Sequence, residues 1–124
     1  MLKFLHLIIG GISGTLARYF LTGAVHQAWG TSFPYGTLVV NLIGCFLIGL
    51  LAALSEGKLP LDANTRLLLV IGFCGAFTTF SSFVLDTANL MKHGEDLRAF
   101  VNIALSVAAG FLAFKLGVVL ADLF

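Results

Sequence analysis

Twelve consecutive residues, Gly72-Phe73-Cys74-Gly75-Ala76-Phe77-Thr78-Thr79-Phe80-Ser81-Ser82-Phe83, lie inside an apolar segment from Leu67 to Met91. Without them the segment would read as one uninterrupted membrane helix. Glycine loosens a helix, and Thr and Ser hydroxyls compete for its backbone hydrogen bonds. In hydrocarbon, an N–H or C=O group without a partner costs on the order of several kcal/mol, so a break there must be satisfied by protein, ions or water. The pattern predicts a break near Gly75 to Thr79 at the functional centre, with the remaining chain built around it.

The rest of the composition places that segment in a membrane. Of 124 residues, 59% are hydrophobic and 10% are charged, and the mean hydropathy is +1.03. A soluble domain carries about a quarter charged residues. Four apolar stretches, about 4–25, 36–54, 67–91 and 99–120, each approach the roughly 20 residues a spanning helix needs. The expected fold is therefore all-α integral membrane: one four-span domain covering 1–124, its third helix broken mid-membrane. A net charge of +1 suggests no nucleic-acid partner. Cys45 and Cys74 sit mid-span without C-x-x-C spacing and read as small apolar thiols. Lys3, the following apolar run and Thr15-Leu16-Ala17 weakly resemble a signal peptide, but Arg18-Tyr19-Phe20-Leu21 continues the segment, so a retained span is expected.

Polar residues within the spans are few. Gly10 and Gly14 form a small-xxx-small stripe in span one, with Arg18 one turn further along. Arg18 suits either a snorkelling anchor or an anion attractor at a pore mouth. Trp29, Pro34 and Tyr35 in the first loop suit the interface. Asn41 is the notable polar residue of span two, with Gly44 and Cys45 on its face. Asn102, Ser106, Gly110, Ala113 and Gly117 line one stripe of span four, which should face protein or a water-lined path. Asp86, near the end of span three, is expected to pair with a Lys or Arg. His6, His26 and His93 receive no role.

Four spans put both termini on one side, with Lys3, Lys58, Arg66 and Lys115 there against Arg18, Lys92 and Arg98 on the other. That near-zero Lys/Arg bias permits insertion both ways up. An antiparallel homodimer, with two broken third spans meeting across a two-fold axis, becomes possible.

A break also supplies chemistry. The first half-helix ends in carbonyls that attract cations; the second begins with N–H groups that attract anions. Thr78, Thr79, Ser81 and Ser82 add hydroxyl donors, and Asn41 an amide donor. Phe77, Phe80 and Phe83 recur three apart, and ring edges are electropositive enough to stand beside a small anion. The same stripe could equally face lipid or pack in a core, and Asn41 could simply bond two helices. No nucleophile–base pair or nucleotide loop is present, so the chain is not expected to be an enzyme.

Over essentially its whole length the chain resembles the Fluc (CrcB-like) fluoride channels. The matching stretches are Gly10-Gly11-Ile12-Ser13-Gly14-Thr15-Leu16-Ala17-Arg18-Tyr19, Gly36-Thr37-Leu38-Val39-Val40-Asn41-Leu42-Ile43-Gly44 and, most specifically, Gly72 to Phe83. The resemblance implies a dual-topology antiparallel homodimer in the lipid bilayer of a bacterial cytoplasmic (inner) membrane, with two pores that pass fluoride outward. It implies that Phe80 and Phe83 line the pores by their ring edges, that Asn41, Ser81 and Ser82 contact the ion or its water, and that Arg18 stands near an aqueous entrance. It implies too that the carbonyls of Gly75 and Thr78 from both subunits hold a structural Na+ on the two-fold axis. Ser82 departs from the family, which usually has Thr; the hydroxyl is kept and the rotamer-fixing methyl lost.

Two other classes compete. A small dual-topology proton-coupled exporter of cationic compounds needs a carboxylate within a span. None lies in the middle third of any span here. An assembly or lipid-packing protein needs no helix break.

Overall fold

Two glycines with positive φ punctuate the chain, Gly30 (φ 81°) and Gly94 (φ 73°), and each follows the end of a long apolar helix. No other residue takes a positive φ. The computed structural model describes residues 1–124 and contains only helices and their connections. Helix α1 (Leu2–Trp29) runs on past the expected Val25, because His26 to Trp29 offers no breaker until Gly30, whose N–H donates to the His26 carbonyl at 2.8 Å. Helix α2 (Tyr35–Glu56) starts directly after Pro34.

The third span is assembled from pieces: α3 (Ala63–Arg66), a π-helical stretch Leu67–Cys74, α4 (Gly75–Phe77), two extended residues, and α5 (Phe80–Lys92). The last helix, α6, is Asp96–Asp122. Four helical units are long and apolar enough to cross a membrane, the third being the 30-residue unit Ala63–Lys92. At the solvated start of α3 the Thr65 hydroxyl donates to the Asp62 carboxylate, which holds that carboxyl below the usual carboxylate range.

Helix association in lipid depends on close van der Waals fit, and small residues permit it. A Cβ on Gly14 would lie 3.1 Å from the Phe73 Cα, and one on Gly10 would lie 2.9 Å from the Gly72 Cα. The Gly10–Gly14 stripe of α1 thus seats the π-helical stretch. Between α2 and α6 the fit is equally tight, since a Cβ on Gly117 would lie 2.8 Å from the Leu50 N. Of the span-four stripe, Asn102, Gly110 and Gly117 are buried, while Ser106 and Ala113 are half-buried. Both cysteines are free, Cys74 buried and Cys45 half-buried.

Candidate ion pathway

The helix stops at Thr78 (φ −84°, ψ 157°) and Thr79 (φ −151°, ψ 111°), both extended. The break falls on the β-branched pair and spares Gly72 and Gly75, which stay helical. Thr78 closes the first half: its N–H and its hydroxyl both donate to the Cys74 carbonyl, at 3.1 and 2.9 Å. Its methyl lies where a Cβ on Gly44 would be, so α2 can come this close only with glycine at that position.

Thr79 opens the second half. Its N–H donates to Asn41 Oδ1 at 2.8 Å, and Asn41 Nδ2 donates back to the Thr79 carbonyl at 3.1 Å. A primary amide carries one acceptor and two donors, so Asn41 stands in for the missing peptide partners and keeps one N–H free. The Thr79 hydroxyl caps α5, accepting from the Ser82 N–H at 3.2 Å and donating to Ser82 Oγ at 3.0 Å. It also lies 3.5 Å from Ser81 Oγ. From α1, Arg18 Nε donates to the Ala76 carbonyl at 3.0 Å. Arg18 is therefore anchored on the break itself, a contact absent from either reading of it as a lone charge.

Two carbonyls gain no such partner. That of Thr78 accepts no hydrogen bond within the chain. Gly75 loses its i+4 donor, because the Thr79 N–H turns to Asn41. Both are hard oxygen donors near one half-helix end, where the backbone dipole favours a cation. The surface at Gly75 is open: the nearest atom to a Cβ built there is the Val70 carbonyl oxygen at 3.9 Å.

Cavities flank the break. A polar one of about 700 Å3 includes Arg18, His26, Thr37, Thr79 and Ser82 in its wall. A more apolar one of about 370 Å3 is lined by Asn41, Thr78, Thr79, Phe80, Phe83 and Ser106, among others. Thr79 belongs to both. The Phe80 and Phe83 centroids are 5.7 Å apart with planes at 46°, and Phe80 is 77% exposed in the single chain. Phe77, the third ring of the sequence stripe, is buried and stacks on Phe73 at 5.5 Å. Ser81 is exposed and lines neither cavity.

Other contacts were not foreseen. Asp86 pairs with no Lys or Arg; it accepts from the Thr37 hydroxyl at 2.7 Å, because α5 packs that carboxylate against α2 and Arg98 turns to Glu95 and the Ser32 carbonyl. Both line a further polar depression with His26, His93 and Glu95. The half-buried His26 thus stands in the walls of two polar cavities, although its sequence position carried no signal. Buried Asn102 donates to Thr87 Oγ1 at 3.0 Å, and Thr87 donates to the Phe83 carbonyl at 2.7 Å, tying α6 to the backbone of a cavity-lining residue. The Thr87 hydroxyl, one turn after Phe83, was the available signal.

The model of a family described as CrcB-like protein, Camphor Resistance (CrcB), matches residues 5–118. The chain belongs to this CrcB-like family. Relatives named fluoride-specific ion channel FluC share its length as well as its sequence. That of Geobacter sp. (strain M21) is 45% identical over 121 residues, covering 98% of each chain. That of Methylocella silvestris is 47% identical over 122 residues, covering 97% of this chain and 93% of its own. That of Desulforapulum autotrophicum is 44% identical over 121 residues, covering 98% and 97%. In this CrcB-like chain the break, its Asn41 clamp and both flanking cavities all fall within the family match.

Proposed function

We propose that this chain is a passive, fluoride-selective channel that lets fluoride leave a bacterial cytoplasm across the inner membrane. The observation that carries the reading is Thr79: one extended residue, held by Asn41, where a polar cavity with Arg18 meets a cavity lined by Phe80 and Phe83. The names of the three relatives supply the ion. Arg18 draws an anion toward the polar cavity. The first N–H groups of α5, with the hydroxyls of Thr79 and Ser82, replace part of its water. The free Asn41 N–H and the edges of Phe80 and Phe83 then carry it through the narrower section, attracting it without holding it. Ser81, on the exposed side of the break, would meet the ion only with a second subunit in place.

The same reading includes an antiparallel dual-topology homodimer. Gly75, Phe80 and Ser81 all lie exposed on one chain, so the break presents a face that a second copy would cover. The carbonyls of Gly75 and Thr78 would then hold Na+, which supplies positive charge to half-helix ends that lack donors. A proton-coupled exporter is less well supported, because the one candidate carboxylate, Asp86, is engaged by Thr37 near the end of its span.

Efflux from liposomes loaded with fluoride or chloride, with valinomycin carrying the balancing potassium, tests the proposal. Fast fluoride loss with chloride retained is expected. Retention of both ions would reject the channel and direct attention to proton-driven uptake of cations. In Phe80→Ile, which keeps bulk and removes the ring edge, fluoride efflux should fall by about tenfold, the factor that about 1.4 kcal/mol of ring electrostatics represents. Unchanged efflux would remove the ring-edge argument.

A further inference from the structure

Where the first loop meets the start of α6, the surface carries a groove of about 320 Å3 lined by Phe33, Tyr35, Leu97, Arg98, Val101 and Leu105. Leu97, Val101 and Leu105 recur every four residues on α6, so they form one strip about 12 Å long. All three are exposed in the chain. Trp29 meets Tyr35 edge-on at 5.6 Å and Phe33 lies 5.0 Å from Tyr35, an aromatic shoulder of the kind found at the level of lipid headgroups. Arg98 Nη1 donates to the Ser32 carbonyl at 3.1 Å, which fixes the guanidinium at the groove's mouth with most of its donors unspent. Its only ionic partner is Glu95 at 3.8 Å, an exposed and weak pair.

We infer that this groove is a binding site for an anionic phospholipid of the surrounding bilayer, its phosphate on Arg98 and one acyl chain along Leu97, Val101 and Leu105. The occupant follows from the shape and the charge. A fixed cation at headgroup level stands over an apolar strip running toward the membrane centre, which is the arrangement of phosphate and tail in one lipid molecule. Leu97, Val101 and Leu105 form one row along α6 that leads away from Arg98, and an acyl chain can lie along such a row. Glu95 competes with the phosphate for the guanidinium and so lowers the preference for anionic over zwitterionic headgroups.

Trp29, the only tryptophan in the chain, reports on the site without a label. The full-length protein in bilayers containing brominated phosphatidylglycerol or brominated phosphatidylcholine should show quenching that favours phosphatidylglycerol about fivefold, as expected for one arginine facing anionic lipid. Arg98→Gln should bring the two lipids to parity, and Glu95→Gln should raise the preference for phosphatidylglycerol. Equal quenching by both lipids in the unmodified protein would overturn the inference, as would an unaltered preference in Arg98→Gln. Absence of quenching by either lipid would show that protein covers the groove, and would overturn it too. Should Arg98→Gln fail to fold, Glu95→Gln still decides: a preference that stays level or falls rejects the site.

Discussion

Helices α2 and α6 pass as two unbroken rods at Gly49 and Gly117, whereas the span between them in sequence, Ala63–Lys92, changes winding twice and stops at Thr78. Both regions face the same requirement, that no backbone polar group be left unpaired in hydrocarbon. In the rods each helix meets it alone, and glycine serves only to bring the backbones together. In the broken span side chains from other elements meet some of the peptide groups one at a time, Asn41 on Thr79 and Arg18 on Ala76, and the carbonyls of Gly75 and Thr78 are left without such a partner. The rods can therefore be perturbed by volume, while the break is perturbed by hydrogen-bonding capacity at nearly constant volume.

Asn41→Leu separates the two regions most sharply. It keeps the bulk and removes both bonds to Thr79, leaving an N–H and a C=O unpaired at about 1–3 kcal/mol each. A loss of about 2–6 kcal/mol in thermal unfolding of the detergent-solubilised protein is expected, with fluoride efflux abolished. Melting like the unmodified protein would mean that the break is held from elsewhere.

Gly117→Val strikes the rods. A Cβ there meets the Phe46 carbonyl and the Leu50 N, so the helices must part. About 1–3 kcal/mol should be lost. Efflux per folded protein should stay near its original rate, since neither cavity at the break includes Gly117 in its wall. Loss of efflux without loss of stability would show that the crossing and the break are coupled.

Ser82→Thr is the smallest perturbation. The hydroxyl that meets Thr79 is retained, so stability should change by less than about 0.5 kcal/mol and efflux by less than about threefold. A larger change would show that rotamer freedom at this one hydroxyl sets the rate.

The spans and the broken third helix were legible because hydrophobic runs and the Gly-Thr-Thr-Ser cluster are local signals. The position of the stop was also local, since Thr78 and Thr79 can bond to their own chain in extended form. What closes the break was not. Asn41 lies 38 residues from Thr79 and Arg18 lies 58 residues from Ala76, and nothing in either neighbourhood names the partner. Asp86 misled for the same reason: a carboxylate near a charged loop suggests an ion pair, and only the packing of α5 on α2 brings it to Thr37. The winding of Leu67–Cys74 is silent as well, because Leu, Val and Ile occupy a π-helix and an α-helix with the same hydropathy.

That winding has a consequence for the chain as an evolving object. A π-helical stretch bonds i to i+5 and spends about one more residue per turn than an α-helix. Leu67–Cys74 therefore sets the angular phase between the solvated start of the span and the Thr78–Thr79 stop. Removing one residue from it would leave composition and hydropathy almost untouched and the span still long enough to cross. It would nonetheless rotate the two threonines relative to the start of the span, so the number of residues in this run fixes where the stop points, even where one aliphatic side chain could replace another.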